Sequence, residues 1–183
     1  MSTVLVPLAP GCEELEAVTI IDLLRRAGIE VVTASLDSNS VKASRGTVLV
    51  ADKTLDDALN AEYDMIVLPG GLPGADHLRD DSRIINLLRQ MASENKYTCA
   101  ICAAPKVLAE AGLLSNKNAT AFPGTLEKLD LPNTTIKSDP VVIDDKIVTS
   151  RGPGTAMDFA LKLVELLCGI DKRHSVESAL QRP

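Results

Sequence analysis

Cys102 stands between a predicted strand and a predicted helix, in the stretch Ala100-Ile101-Cys102-Ala103-Ala104-Pro105. Small residues lie two positions before it and two after. That spacing is the pattern of a nucleophile elbow, where a tight strand-to-helix turn tolerates no bulk. Pro105 suits the first turn of the helix. A thiol at a helix N-terminus is expected to titrate low, because unpaired N–H groups and the macrodipole favour thiolate. The bland reading is a buried, inert thiol of an α/β core. Cys99 and Cys102 also spell Cys-x-x-Cys, but Cys99 falls inside the strand, so no dithiol or zinc pair is expected. Cys12, in a loop, and Cys168, in the last turn of a helix, carry no such context.

Carboxylates form the second group. At 100° per residue, Glu13 and Glu16 share a stripe with Ala17, Ile20, Leu24 and Ala27. That stripe must face a sheet, and Glu14 points elsewhere. An acid on a buried stripe is desolvated, which raises its pKa toward use as a general acid or base. The alternative is that both acids simply favour the positive helix end. Gly70-Gly71 follows another strand and allows close backbone approach. The N–H groups of Gly71 and Ala103 could together form an oxyanion hole. Gly152-Pro153-Gly154 is a further glycine-rich helix entrance. It has no Walker spacing, and no Gly-x-Gly-x-x-Gly follows the first strand, so no nucleotide is indicated. A thiol peptidase or amidase needs an imidazole. Neither His77 nor His174 stands in a suggestive context.

The elements that must hold these residues read as alternating strands and helices. Thr3–Ala9, Ile29–Ala34, Asp64–Pro69 and Tyr97–Ile101 are short apolar runs, as buried parallel strands require. Helical periodicity covers Glu13–Ala27, Asp81–Ser93, Pro105–Ala111, Thr155–Cys168 and Asp171–Leu180, with one or two turns at Leu55–Leu59. Gly28, Gly112 and Gly169 stand where helix C-termini need them. Residues 41–50 read as a small side hairpin. Ala119–Phe122 reads as a strand, and Val141–Ile143 and Lys146–Thr149 as strands joined by an Asp144-Asp145 turn. The fold class is therefore α/β, with a mostly parallel central sheet and helices on both faces. Ligands in such sheets sit beyond the carboxyl ends of the strands. Leu15 and Val18 fall on the outer face of the first helix, which suggests a partner, most simply a second copy.

Composition limits the function. The chain has 183 residues, 45% hydrophobic and 24% charged, which is ordinary for one globular domain spanning 1–183. A net charge of −6 leaves no basic excess to track phosphates, so no stable nucleic-acid binding is expected. Aromatics at 2% exclude base-stacking platforms. No apolar run is long enough to span a membrane. The start lacks a basic leader, and four cysteines without one read as reduced cytoplasmic thiols.

Glu13-Glu14-Leu15-Glu16, Pro69-Gly70-Gly71, Ala100–Pro105 and Thr149–Thr155 occur together in this order. The combination resembles the ThiJ/PfpI superfamily, also called the DJ-one superfamily, closest to the DJ-one and bacterial YajL branch, over essentially the whole chain. The resemblance implies a flavodoxin-like sandwich and a homodimer with its site near the subunit boundary. It implies a reactive Cys102 with Glu16 as its carboxyl partner. Glu13, Gly70, Gly71 and Ala103 match pocket positions. Arg45 matches an arginine that reaches the neighbouring subunit's site, and Arg26 and Arg151 match arginines near the interface and pocket. Two departures weigh against a peptidase. Ala103 stands where peptidase-like members have His, and Phe122 stands where the eukaryotic branch has a His near the thiol.

The function so implied is a cysteine-dependent stress enzyme needing no cofactor and no metal. Its substrates would be small reactive aldehydes or the glycated proteins and nucleotides they form. The activity would be glyoxalase III-like, methylglyoxal to lactate, or a deglycase. Cys102 would add to the aldehyde, Glu16 would move the proton, and Gly71 and Ala103 would hold the oxyanion. The alternative is an oxidative-stress sensor or redox-regulated chaperone working through oxidation of Cys102. A cysteine peptidase or amidase ranks last.

Overall fold

The computed structural model describes residues 1–182. Its chain order is β1 (Thr3–Leu8), α1 (Glu14–Arg26), β2 (Glu30–Ser35), β3 (Ser40–Lys42), β4 (Val48–Val50), β5 (Lys53–Thr54), α2 (Leu55–Ala58), β6 (Met65–Leu68), α3 (Gly74–Asp80) and α4 (Ser82–Ser93). There follow β7 (Tyr97–Ile101), α5 (Pro105–Glu110), β8 (Asn118–Ala119), β9 (Thr135–Ile136), β10 (Val141–Asp144), β11 (Ile147–Ser150), a 3₁₀ turn at Pro153–Thr155, α6 (Ala156–Cys168) and α7 (Ile170–Ala179).

Seven strands form the main sheet in the order β10-β11-β7-β6-β1-β2-β5. All neighbours pair parallel except β10 and β11, which form an antiparallel hairpin. Its two-residue turn is Asp145-Lys146, one position later than the Asp144-Asp145 turn expected from sequence, because Asp144 still pairs with Ile147. The central strands β1, β6 and β7 are buried almost end to end, which explains their continuous apolar runs. Helices cover the sheet in two groups. α1 packs on α6 and α6 on α7, while α3, α4 and α5 pack on one another. The mostly parallel α/β sheet with helices around it is the fold class the sequence implied.

α1 shows how the pattern works. Its buried residues are Glu16, Ala17, Ile20, Leu23 and Leu24, one stripe at helical spacing. Arg25 and Arg26 face its negative end, and Gly28 follows with φ +79°, a conformation glycine adopts without strain. The side hairpin is the antiparallel pair β3–β4.

Two segments differ from expectation. α3 is not among the expected helices; only Ala75 and Leu78 give it an apolar buried face, too short a pattern to show helical period. Ala119–Phe122 is a strand only at its first residue, which joins β8 to β9. Beyond it the backbone donors go elsewhere: Thr120 N–H donates to Thr149 Oγ1 (2.9 Å) and Phe122 N–H to the Cys102 carbonyl (2.8 Å). With those donors engaged, no ladder can continue.

Candidate active site

Three strand ends converge at the carboxyl edge of the sheet. β1 leads through residues 9–13 into α1, β6 leads into Gly70-Gly71, and β7 ends on Cys102. Cys102 has φ +63°, a left-handed backbone rare for a residue with a side chain. Its neighbours hold it there. Cys102 N–H donates to the Ser150 carbonyl (2.9 Å), Phe122 N–H donates to the Cys102 carbonyl, and Ala104 N–H closes on Ile101 (2.9 Å). This is the geometry of the elbow read from sequence. The residue is 8% exposed, so the turn leaves a narrow opening to solvent.

Glu16 lies in the first turn of α1 and is fully buried. Gly70 N–H donates to its Oε2 (2.8 Å). The other oxygen, Oε1, is buried with no hydrogen bond of good geometry. The thiol and the carboxyl interact, and each alters the other's proton affinity. Burial pushes the Glu16 carboxyl up to about 7, opposed by the Gly70 N–H and the Cys102 thiol. The raised carboxyl agrees with the sequence expectation.

The thiol does not follow expectation. Burial, then the charge of Glu16 and its hydrogen bond, push Cys102 up to about 12. The N–H groups of Gly71 and Ala103 do address the sulfur and lower it, but they are outweighed. A helix N-terminus favours thiolate only where water or protein dipoles can replace lost solvation. Here a carboxylate stands beside a desolvated sulfur, and both anions together are strongly disfavoured. The pair therefore keeps at least one proton across the neutral range. Thiolate forms when Glu16 holds that proton.

Gly70 makes the pairing possible. A Cβ there would stand 2.6 Å from Cys102 Cβ and 2.8 Å from Glu16 Oε2, closer than real side chains approach. Gly71, at φ +87°, lies against the backbone of residues 11–13. Glu13 is the N-cap residue of α1 rather than part of it, and its N–H donates to the Gly70 carbonyl (2.9 Å).

Sequence reading missed Ser44 and the use made of Glu14. Ser44 Oγ lies 3.0 Å from both Glu13 Oε2 and Glu14 Oε2. Glu14 also accepts from the N–H groups of Arg45 (2.9 Å) and Thr47 (3.4 Å). Desolvation is the largest single effect and raises its carboxyl, but its own N–H, those of Arg45 and Thr47 and the Ser44 hydroxyl together outweigh it and bring the carboxyl down to about 2. The hairpin is thus strapped to the start of α1. These partners lie about thirty residues apart in sequence, and only the folded chain reveals them.

The structure brings Cys102, Glu16, Gly70, Gly71 and Ala103 together, with Glu13 beside them. Arg45 sits on the strapped hairpin, exposed. Arg151 follows Ser150 at the end of β11 and donates to the Ser138 carbonyl (3.1 Å). Arg26 is not at the thiol; it stands at the far end of α1, paired with Asp22 (2.6 Å). His77 Nδ1 lies 2.9 Å from the Pro10 carbonyl, and His174 is exposed on α7. Among the described residues no imidazole bonds Cys102. Cys99 is buried in β7 and Cys12 in the core, where burial raises both thiols, Cys12 to about 11. No group of three potential metal ligands occurs among the described residues.

The arrangement can do nucleophilic chemistry with one proton carrier. Comparison with known proteins bears on which. The DJ-1/PfpI family model matches residues 2–166. Protein DJ-1 homolog A of Arabidopsis thaliana is 43% identical over 180 residues, covering 97% of this chain and 46% of the relative. The chain thus spans under half the length of that protein. The glutathione-independent glyoxalase DJR-1.2 of Caenorhabditis elegans is 37% identical over 164 residues, covering 90% of this chain and 87% of the relative. Among solved structures, oxidized Toxoplasma gondii DJ-1 superposes with a TM-score of 0.94 at 42% identity, covering 98% of each chain.

Proposed function

The chain belongs to the DJ-1/PfpI family, and from that premise we propose that it is a thiol enzyme converting reactive 2-oxoaldehydes to 2-hydroxy acids without glutathione. The observation that carries this reading is Glu16: a fully buried carboxyl raised to about 7, with one oxygen unpaired, beside a thiol that needs a proton acceptor. The glyoxalase relative supports the substrate class.

The Cys102 sulfur attacks the aldehyde carbon as its proton passes to Glu16. Negative charge moves from sulfur to the aldehyde oxygen, and the Gly71 and Ala103 N–H groups follow it there. Once the hemithioacetal oxygen has taken the proton, Glu16 is a carboxylate again. It removes the hydrogen of the former aldehyde carbon as a proton, the hydroxyl proton of that carbon passes to the neighbouring ketone oxygen through the enediol, and Glu16 returns its proton to the neighbouring carbon. The first carbon is oxidised, the second reduced, and no external redox partner is required. The product is a 2-hydroxyacyl thioester on Cys102. Water breaks the C–S bond and releases the acid and the thiol. Methylglyoxal plus water gives lactate. Early adducts of such aldehydes on protein or nucleotide amines are substrates of the same chemistry if they dissociate to the free aldehyde or reach the thiol.

A second copy of the chain completes the site in this reading. Leu15, Val18, Val48 and Val50 are exposed on α1 and the hairpin that Glu14 straps to it. Covering that face would bring Arg45 toward the partner's site. A second use of the same thiol is as a sensor oxidised first to sulfenic acid; that the similar Toxoplasma gondii DJ-1 is described as oxidized supports testing it. Mass spectrometry separates it: low peroxide should add oxygen to Cys102 before Cys168, the exposed cysteine.

The test of the enzyme reading is lactate formation from methylglyoxal without glutathione, in wild type and Cys102→Ser. Catalytic lactate lost in the variant upholds it. Aldehyde consumption that stops at one equivalent per Cys102 overturns it and leaves the sensor.

A further inference from the structure

We propose that the groove walled by Phe122, Pro123, Pro140, Arg151 and Gly152 is a side-chain subsite that selects 2-oxoaldehydes with a branched apolar substituent over methylglyoxal. The inference rests on the enzyme reading above and names the substrate class of that site.

Position is the first argument. β7 ends at Ile101 and β11 at Ser150, and the groove opens just past both ends, where ligands of open α/β sheets bind. Its two walls hold the nucleophile's own peptide. Phe122 donates its N–H to the Cys102 carbonyl (2.8 Å), and the Cys102 N–H donates to the Ser150 carbonyl (2.9 Å) beside Arg151.

The second argument is the lining. The groove has a volume of about 330 Å³ and walls that are almost wholly apolar. Half of the Phe122 surface is exposed, although the chain has only two phenylalanines. Arg151 is the one charged residue in the wall; its guanidinium donates to the Ser138 carbonyl and its backbone N–H to the Pro140 carbonyl. Such a surface gains by excluding water from a hydrocarbon group. The methyl of methylglyoxal covers little of it.

Gly152 supplies the third argument. Its φ of 167° is extended backbone, which any residue adopts. Glycine is therefore not needed there for conformation. It is needed for room: a Cβ would stand 3.3 Å from Phe122 Cδ2, tighter than most real contacts, and a larger side chain would enter the groove. The missing side chain keeps the floor open against the ring.

The experiment compares kcat/KM for methylglyoxal and isobutylglyoxal in wild type, Gly152→Val and Phe122→Ala. Each added carbon that is fully buried is worth about fourfold, so a preference of at least about tenfold for isobutylglyoxal is expected in wild type. That ratio should collapse toward one in Gly152→Val, which fills the groove, and fall in Phe122→Ala, which removes a wall. A wild-type ratio near one, or a ratio unchanged in both variants, overturns the inference. Protection of Cys102 from iodoacetamide by each aldehyde separates this from failure of the enzyme reading. Selective protection by isobutylglyoxal without turnover keeps the subsite and sinks the catalysis. Equal protection by both aldehydes sinks the subsite.

Discussion

Replacing Glu16 with Gln should make the protein more stable and nearly inactive. The carboxyl ionises near 4.5 when solvated and near 7 in the fold, chiefly because burial penalises its charge. A raised folded-state pKa contributes stability that is fully present below the unfolded value and is lost as pH rises through the folded value. Between pH 4.5 and about 7, then, wild type loses what the neutral carboxyl contributed. At about 1.4 kcal/mol per pH interval the loss above pH 7 is about 3 kcal/mol, an order-of-magnitude figure. Gln keeps an oxygen for the Gly70 N–H and carries no charge, so it escapes this loss. The kinetic effect runs the other way. Burial alone still pushes the Cys102 thiol up, so thiolate that forms without a proton acceptor beside it is scarce at neutral pH. An amide accepts no proton from the thiol or from carbon. Loss of a general base typically lowers rates about 10²–10⁴-fold. Urea denaturation at pH 5 and pH 8 measures the first effect, and lactate formation the second. In wild type kcat/KM should rise with pH through about 7 as Glu16 ionises, and Glu16→Gln should lack that limb. The reasoning is refuted if the variant is no more stable than wild type at pH 8, or keeps more than a tenth of its activity with the limb intact.

Gly70→Ala places a methyl within 2.6 Å of Cys102 Cβ and 2.8 Å of Glu16 Oε2. It should cost about 1–3 kcal/mol of stability and at least about tenfold in turnover; denaturation and lactate assays check both. Glu14→Gln weakens the acceptor of the Arg45 and Thr47 amides, so hydrogen exchange at those two amides should quicken while exchange in β1 stays unchanged. Lowering pH toward about 2 should loosen the same hairpin in wild type, because the depressed Glu14 carboxyl contributes stability above its unfolded value that is lost as it is protonated. Val50→Glu puts a charge on the exposed apolar face of the hairpin and should shift sedimentation toward monomer; an unaltered profile removes the proposed covering by a second copy.

What could be read in the sequence follows from the range of the interactions. β1, β6 and β7 are apolar runs because both of their faces are covered, and burial on both faces leaves a local mark. Glu16 was legible because helical spacing alone puts it on the stripe of Ala17 and Ile20. The elbow at Cys102 was legible from its small neighbours. α3 leaves only two buried apolar residues, Ala75 and Leu78, as a trace in the sequence. The Ala119–Phe122 segment carries strand-like residues, yet its donors are taken by Thr149 and by the Cys102 carbonyl, partners far along the chain. The thiol's proton affinity was misjudged for the same reason. A helix N-terminus is a local feature, whereas the desolvation and the Glu16 charge that outweigh it are products of the assembled fold.

The bland reading of Cys102 as a core thiol now has a physical objection. A core cysteine needs no special backbone, yet Cys102 holds a left-handed φ that costs a non-glycine residue about 1–2 kcal/mol. A core helix gains nothing from a buried carboxyl with an unpaired oxygen, yet Glu16 is one. Each feature destabilises the fold separately, and they meet at one point, across a glycine that any side chain would fill. Cys99, three residues earlier in the same strand, shows the contrast: it is fully buried, has an ordinary strand backbone and faces no acid. Chance strain should scatter over the molecule. Two costly features aimed at each other, with two N–H donors on the sulfur, are what a site that moves one proton between sulfur and oxygen requires.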